Sequence, residues 1–178
     1  TYLGGEAVGE ATYNLLYGEV NPSGKLAETF PLSLDNYLVS KYFPMGPINV
    51  QYRESIFVGY RYYDAAKQDV AFPFGYGLSY TKFEYSNLSV ETSKNTATVT
   101  FNVKNIGDDK GKEVCEVYVG QKDSVIFKAP KELKGFAKVE LDAGEEKTVT
   151  INLDERAFSY YNVNKNDWAI EKGEYEIM

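Results

Sequence analysis

The sequence predicts a mainly β chain: an antiparallel β-sandwich preceded by an incomplete α/β segment. Three observations predict it. From about Phe83 onward, apolar and polar residues alternate in one stretch after another, the period of half-buried strands. Ahead of Phe72 lie a helical pattern, a short strand and a long aromatic loop. Between the two comes Phe72-Pro73-Phe74-Gly75-Tyr76-Gly77-Leu78-Ser79-Tyr80, whose aromatics, glycines and proline suit a rigid junction. The expected division is 1–80 for the end of an α/β domain, with its wrapping loop and junction, and 81–178 for the sandwich.

In chain order, Gly5 to Tyr17 carries Val8, Ala11, Leu15 and Leu16 at helical spacing, and Gly18 supplies the stop. Glu6 and Glu10 share one face of that helix. They fit a solvated face that complements the helix dipole, or a catalytic carboxylate pair; spacing alone favours the first. Asn21-Pro22-Ser23-Gly24 has turn chemistry, and Lys25 to Phe30 then reads as a short strand ended by Pro31. One helix and one strand bury too little surface to make a core.

Residues 31–55 form a long loop, punctuated by Pro31, Pro44 and Pro47 and studded with Tyr37, Tyr42, Phe43 and Tyr52. Such loops are functional or disordered, and the aromatics argue against disorder. Ile56 to Asp64 is dense in apolar and aromatic residues and is expected to lie buried across a partner surface. Its neighbouring charges Arg53, Glu54, Arg61 and Asp64 suit ion pairs that anchor a loop, with a pocket role as the alternative. Ala65 to Val70 is a connector.

In the β region Leu88 and Val90 alternate with polar neighbours. Ala97, Val99, Phe101 and Val103 face one way against Thr96, Thr98, Thr100 and Asn102. Asn105 to Gly111 is a polar turn. Cys115, Val117 and Val119 share a face, as do Ala137, Val139 and Leu141, and then Val149, Ile151 and Leu153. Tyr160–Val163 and Tyr175–Met178 are short final strands, the last reading as cut, so that the chain looks like part of something longer. About seven strands make a sandwich, with Trp168 as its expected cap. One cysteine permits no internal disulfide, which points to a fibronectin type III-like sandwich, with Cys115 as a small core residue.

Composition excludes several chemistries. There is no histidine, so neither a serine triad nor a histidine metal site can form within the chain. The net charge is −7 and no basic stripe forms, so nucleic acid and anionic membrane are poor partners. No apolar run approaches a membrane span. The chain opens on Thr1, so the lack of a leader carries no weight. Low cysteine content leans towards a cytoplasmic, bacterial enzyme.

Several long motifs carry a resemblance that spans essentially the whole chain. Gly18-Glu19-Val20-Asn21-Pro22-Ser23-Gly24-Lys25-Leu26-Ala27-Glu28-Thr29-Phe30-Pro31, the run Tyr52 to Asp64, and Phe72 to Thr81 resemble the end of the second domain of glycoside hydrolase family 3. Pro130 to Phe136, and Trp168 followed by Gly173-Glu174-Tyr175, resemble that family's fibronectin type III-like domain. The resemblance implies a retaining hydrolase of the β-glucosidase type acting on β-linked glycosides. Its aspartate nucleophile belongs to a barrel and its glutamate acid/base to an upstream part of the α/β domain, the two carboxyls about 5–5.5 Å apart. Neither motif occurs in this chain, so no catalytic, cofactor-binding or metal residue is assigned, and Glu6, Glu10, Glu54 and Asp64 are not promoted. The expected role is to support the barrel and α/β domains. The alternative is a non-catalytic carbohydrate-binding or adhesion module, recognisable by aromatics aligned on one solvent-facing sheet.

Overall fold

A computed structural model describes residues 2–44 and 48–178; Pro47 of the long loop lies outside them. Helix α1 (Val8–Leu16) starts later than expected and buries none of its residues. Strand β1 (Phe30–Pro31) is only two residues long. The strand expected over Lys25–Phe30 is otherwise absent, because Leu26 spends its backbone groups on the junction. Its N–H donates to Tyr76 O at 2.8 Å and its carbonyl accepts from Gly75 N at 2.8 Å. Nor does 21–24 close a hydrogen-bonded turn. The long loop contains two 310 helices, Leu34–Asn36 and Leu38–Lys41.

The expected buried run Ile56–Asp64 is corrected twice. Its second half belongs to helix α2 (Tyr60–Ala66), opened by Gly59 at φ +59°, and only Tyr63 of that helix is buried. Ile56 and Val58 are exposed. Strand β2 (Val70–Phe72) then pairs antiparallel with β1, with Phe30 opposite Phe72.

The sandwich follows. Strands β3 (Phe83–Ser93), β4 (Thr96–Asn105), β5 (Gly111–Gln121), β6 (Glu132–Leu141) and β7 (Glu146–Leu153) are divided between two antiparallel sheets. A separate hairpin, β8 (Ser159–Asn162) with β9 (Asp167–Ile170), precedes β10 (Tyr175–Ile177). One sheet runs β3-β4-β7 and the other β10-β5-β6. The predicted inward stripes of β4, β5 and β7 form the core, closed by Leu141. Cys115 sits among them, buried and free.

Three expectations fail here. On β3, Leu88 and Val90 are exposed: β3 is an edge strand, and a register shift between Ser86 and Ser89, with Asn87 at φ +55°, interrupts its alternation. Trp168 does not cap the core. It stands 45% exposed on the hairpin, edge-on to Tyr161 and covered by the Arg156 guanidinium, while Ala157 and Phe158 pack against the core. Asn105 is no surface turn residue. It is fully buried, and its amide donates to Asp109 O (2.8 Å) and Leu141 O (3.2 Å) while accepting from Thr81 Oγ1 (2.6 Å) and Gly107 N (3.1 Å). All its hydrogen-bonding capacity is used, which is the condition for burying an amide.

Candidate functional site

The feature built with most care is the seam along which residues 18–82 are fastened to the sandwich. Asn21 is its first clamp. Its side-chain oxygen accepts from Ser79 Oγ and Tyr80 N, each at 2.9 Å, and its amide donates to Lys110 O at 3.0 Å. One side chain thus ties the strap, the junction and the β4–β5 turn. Nearby, Lys25 Nζ lies 3.1 Å from Glu113 Oε1, which also accepts from Tyr85 OH at 3.0 Å. Burial first, then contact with Cys115 and Glu113, pushes the Tyr85 hydroxyl far up, so it stays a donor. Lys138 reaches from β6 to Ser23 O and Oγ at 3.2 and 2.9 Å.

The second clamp is α2. Tyr60 OH accepts from Leu133 N at 2.8 Å, and its ring lies against Phe74 (4.9 Å between centroids) and Tyr118 (5.8 Å). Beside it, Arg61 Nε stands 3.2 Å from Glu132 Oε1, and one turn on Lys131 Nζ stands 3.5 Å from Asp64 Oδ2. Three successive sandwich residues, 131 to 133, therefore engage one helix face. The helical period places Tyr60, Arg61 and Asp64 on that face. Phe57 packs on Phe127 at 4.7 Å just before the helix.

The junction joins both clamps. Gly75 has φ +80°, and a Cβ there would lie 2.5 Å from Glu116 Oε2; at Gly77 it would lie 2.6 Å from Gly24 O. Glycine is required at Gly75 by the positive φ and at Gly77 by close approach to backbone. Phe74 enters the seam. Phe72 and Tyr76 instead stack on the outer side with Phe30, leaving an open apolar face that includes Leu78. Tyr80 OH donates to Leu15 O and holds α1.

Of the charges singled out in the sequence, Arg61 and Asp64 are brought together at the seam as ion-pair anchors. Arg53 instead donates to Gln51 and lies over the Tyr42 ring. Glu10 lies in the first turn of the unburied α1, and Glu6 just before it. Among the described residues no group of three or more His, Cys, Asp or Glu could hold a metal, and no helix is long and apolar enough to cross a membrane. Sequence reasoning missed Asn21 and Asn105, which it took for turn residues, and gave Thr81 no role beyond the junction motif. Asparagines flanking a strand carry no local mark of burial.

A fibronectin type III-like sandwich strapped by the tail of another domain is thus the class of protein that fold and seam define. The model of the glycosyl hydrolase family 3 C-terminal domain matches residues 1–80, and that of the fibronectin type III-like domain matches 113–178. The chain belongs to glycoside hydrolase family 3, of which it carries the C-terminal region. It is 51% identical to thermostable beta-glucosidase B of Acetivibrio thermocellus over 181 residues, covering 99% of this chain and 24% of the relative. It is 46% identical to an exo-alpha-(1->6)-L-arabinopyranosidase of Bifidobacterium breve, again with 99% and 24% covered. The crystal structure of a Bifidobacterium adolescentis GH3 beta-glucosidase superposes with a TM-score of 0.94 at 43% identity, over 97% of this chain and 26% of that one. The chain spans about a quarter of the length of these relatives.

Proposed function

We propose that this chain is the non-catalytic C-terminal portion of a retaining glycoside hydrolase of the β-glucosidase type, dividing at about 80/81, and that it braces catalytic domains carried elsewhere in the same polypeptide. The observation that carries the reading is the near-complete alignment of this chain with one quarter of a beta-glucosidase. The unpartnered surface supports it: α1 buries nothing, and Phe30, Phe72, Tyr76 and Leu78 face outward together. Those residues would dock the remainder of the α/β domain and its barrel, while the two clamps hold that interface at a fixed angle to the sandwich. The substrate class is terminal β-glucosidic or related bonds. The arabinopyranosidase relative widens the range of sugars the reading admits.

The test is hydrolysis of an aryl β-glucoside by the 178-residue chain and by the intact polypeptide. The chain alone is expected to be inactive and the intact polypeptide active. Turnover by the chain that is lost on changing Glu6, Glu10, Glu54 or Asp64 overturns the non-catalytic assignment. A binding-module reading is not favoured. Exposed Phe127, Phe136, Tyr161 and Trp168 are spread over a loop, β6 and the hairpin rather than aligned on one sheet, and Arg156 occupies the Trp168 face.

A further inference from the structure

Among the described residues three buried side-chain polar atoms lack a hydrogen-bond partner, Thr29 Oγ1, Arg61 Nε and Asp64 Oδ2, and the first and last come from separate parts of the strap but line one space. Thr29, just before β1, is only 4% exposed, and its Oγ1 bonds to nothing. Asp64 Oδ2, on α2, is equally out of reach of solvent and accepts no hydrogen bond, although the Lys131 ammonium stands 3.5 Å away. Both residues line one cavity of about 80 Å³, with Gln68, Tyr118 and Lys131 also on its wall. Buried polar atoms in native proteins are almost always paired, with protein or with ordered water.

The geometry points to a built hydration site: ordered water in this cavity, accepting from Thr29 Oγ1 and donating to Asp64 Oδ2. Size permits it, since a water needs only about 10–15 Å³ of such space, and two to four polar partners. Charge selects it. A cation beside Asp64 Oδ2 would face the Lys131 ammonium, and an anion would face the Asp64 carboxylate. A neutral molecule that both donates and accepts satisfies both atoms. Tyr118 fits the same network: its hydroxyl donates to Glu116 Oε2 at 2.6 Å and keeps a lone pair free to accept. The water thereby joins the residue ahead of β1, helix α2 and the sandwich, three pieces with no direct side-chain bond through Thr29. The inference does not rest on the enzymatic reading.

The experiment is a crystal structure of the intact polypeptide at a resolution that shows waters, with Thr29→Val and Thr29→Ser alongside. Wild type is expected to show solvent density within about 3.2 Å of both Thr29 Oγ1 and Asp64 Oδ2. Thr29→Ser keeps that density. Thr29→Val loses it and melts lower than wild type. The proposal is overturned by no density between the two atoms, by a protein side chain filling the cavity, or by density with contacts of about 2.3–2.6 Å to several oxygens, the mark of a cation. It is also overturned if Thr29→Val melts at or above wild type, because removing an unsatisfied hydroxyl from a dry cavity is neutral or stabilising.

Discussion

The first half of this chain is the richer in apolar side chains, and the two halves dispose of them in opposite ways. From Phe83 on, β4, β5 and β7 turn every second residue into a closed core, and Val99, Val103, Leu141 and Leu153 are almost entirely hidden. From Tyr2 to Tyr80, among the described residues, only Tyr63 of the hydrophobic side chains is buried, while Leu3, Leu16, Ile48 and Tyr52 stand in solvent. The difference is one of partners, not of composition. A pair of sheets supplies its own opposite face. A helix, a two-residue strand and a strap do not, and they depend on hydrogen bonds and ion pairs to the sandwich edge.

The sharpest way to break that comparison is to separate the halves. Residues 81–178 alone are expected to melt cooperatively by circular dichroism, and residues 1–80 alone to show no cooperative transition. A sigmoidal melt from 1–80 would mean that the strap has a core of its own. Next in size is one substitution made in both halves. Leu141→Ala should cost about 2–5 kcal/mol in denaturant unfolding, whereas Leu16→Ala in this chain should change stability by no more than about 0.5 kcal/mol. In the intact polypeptide the Leu16→Ala cost should rise towards a core value if α1 is covered there.

A smaller effect compares the two asparagine clamps. Asn105→Ala strips four bonds from a fully buried network and should cost ~1–3 kcal/mol, while Asn21→Ala, at a partly exposed seam, should cost about 0.5–1.5 kcal/mol. Urea titration of both variants measures the gap; equal losses would make the seam as dry as the core.

The smallest effect is electrostatic. Hydrogen bonds from Lys128 and Ser124 hold the Glu171 carboxyl down to about 2. A carboxyl with a depressed folded value contributes stability that is present above its unfolded value, near 4.5, and is lost as pH falls towards about 2. The melting-temperature difference between wild type and Glu171→Gln should therefore be constant from pH 7 to 5 and shrink below that. A difference that persists at pH 2 would show that Glu171 acts by packing.

Most of the sandwich was legible in the sequence because strand burial is a local, period-two property. Ala97 to Val103 and Val149 to Leu153 announce their inward faces without reference to anything distant. The seam was only half legible. Gly75 and Gly77 signalled close approach, and Arg61 and Asp64 signalled anchoring, but their partners Glu132 and Lys131 lie about seventy residues away with no local mark. Trp168 misled because a large apolar ring was expected inside, whereas indole rings also pack well at a rim under a guanidinium.

The sequence by itself determined the alternating strands, the junction, the lack of histidine and cysteine chemistry, and the family. Each is a matter of residue identity or short-range period. Only the tertiary structure decided that Leu26 bonds to the junction instead of a sheet, that Asn21 and Asn105 are clamps, and that α1 lies bare. Those outcomes depend on which distant backbone groups are left to satisfy and which faces find a partner, and no local pattern encodes either.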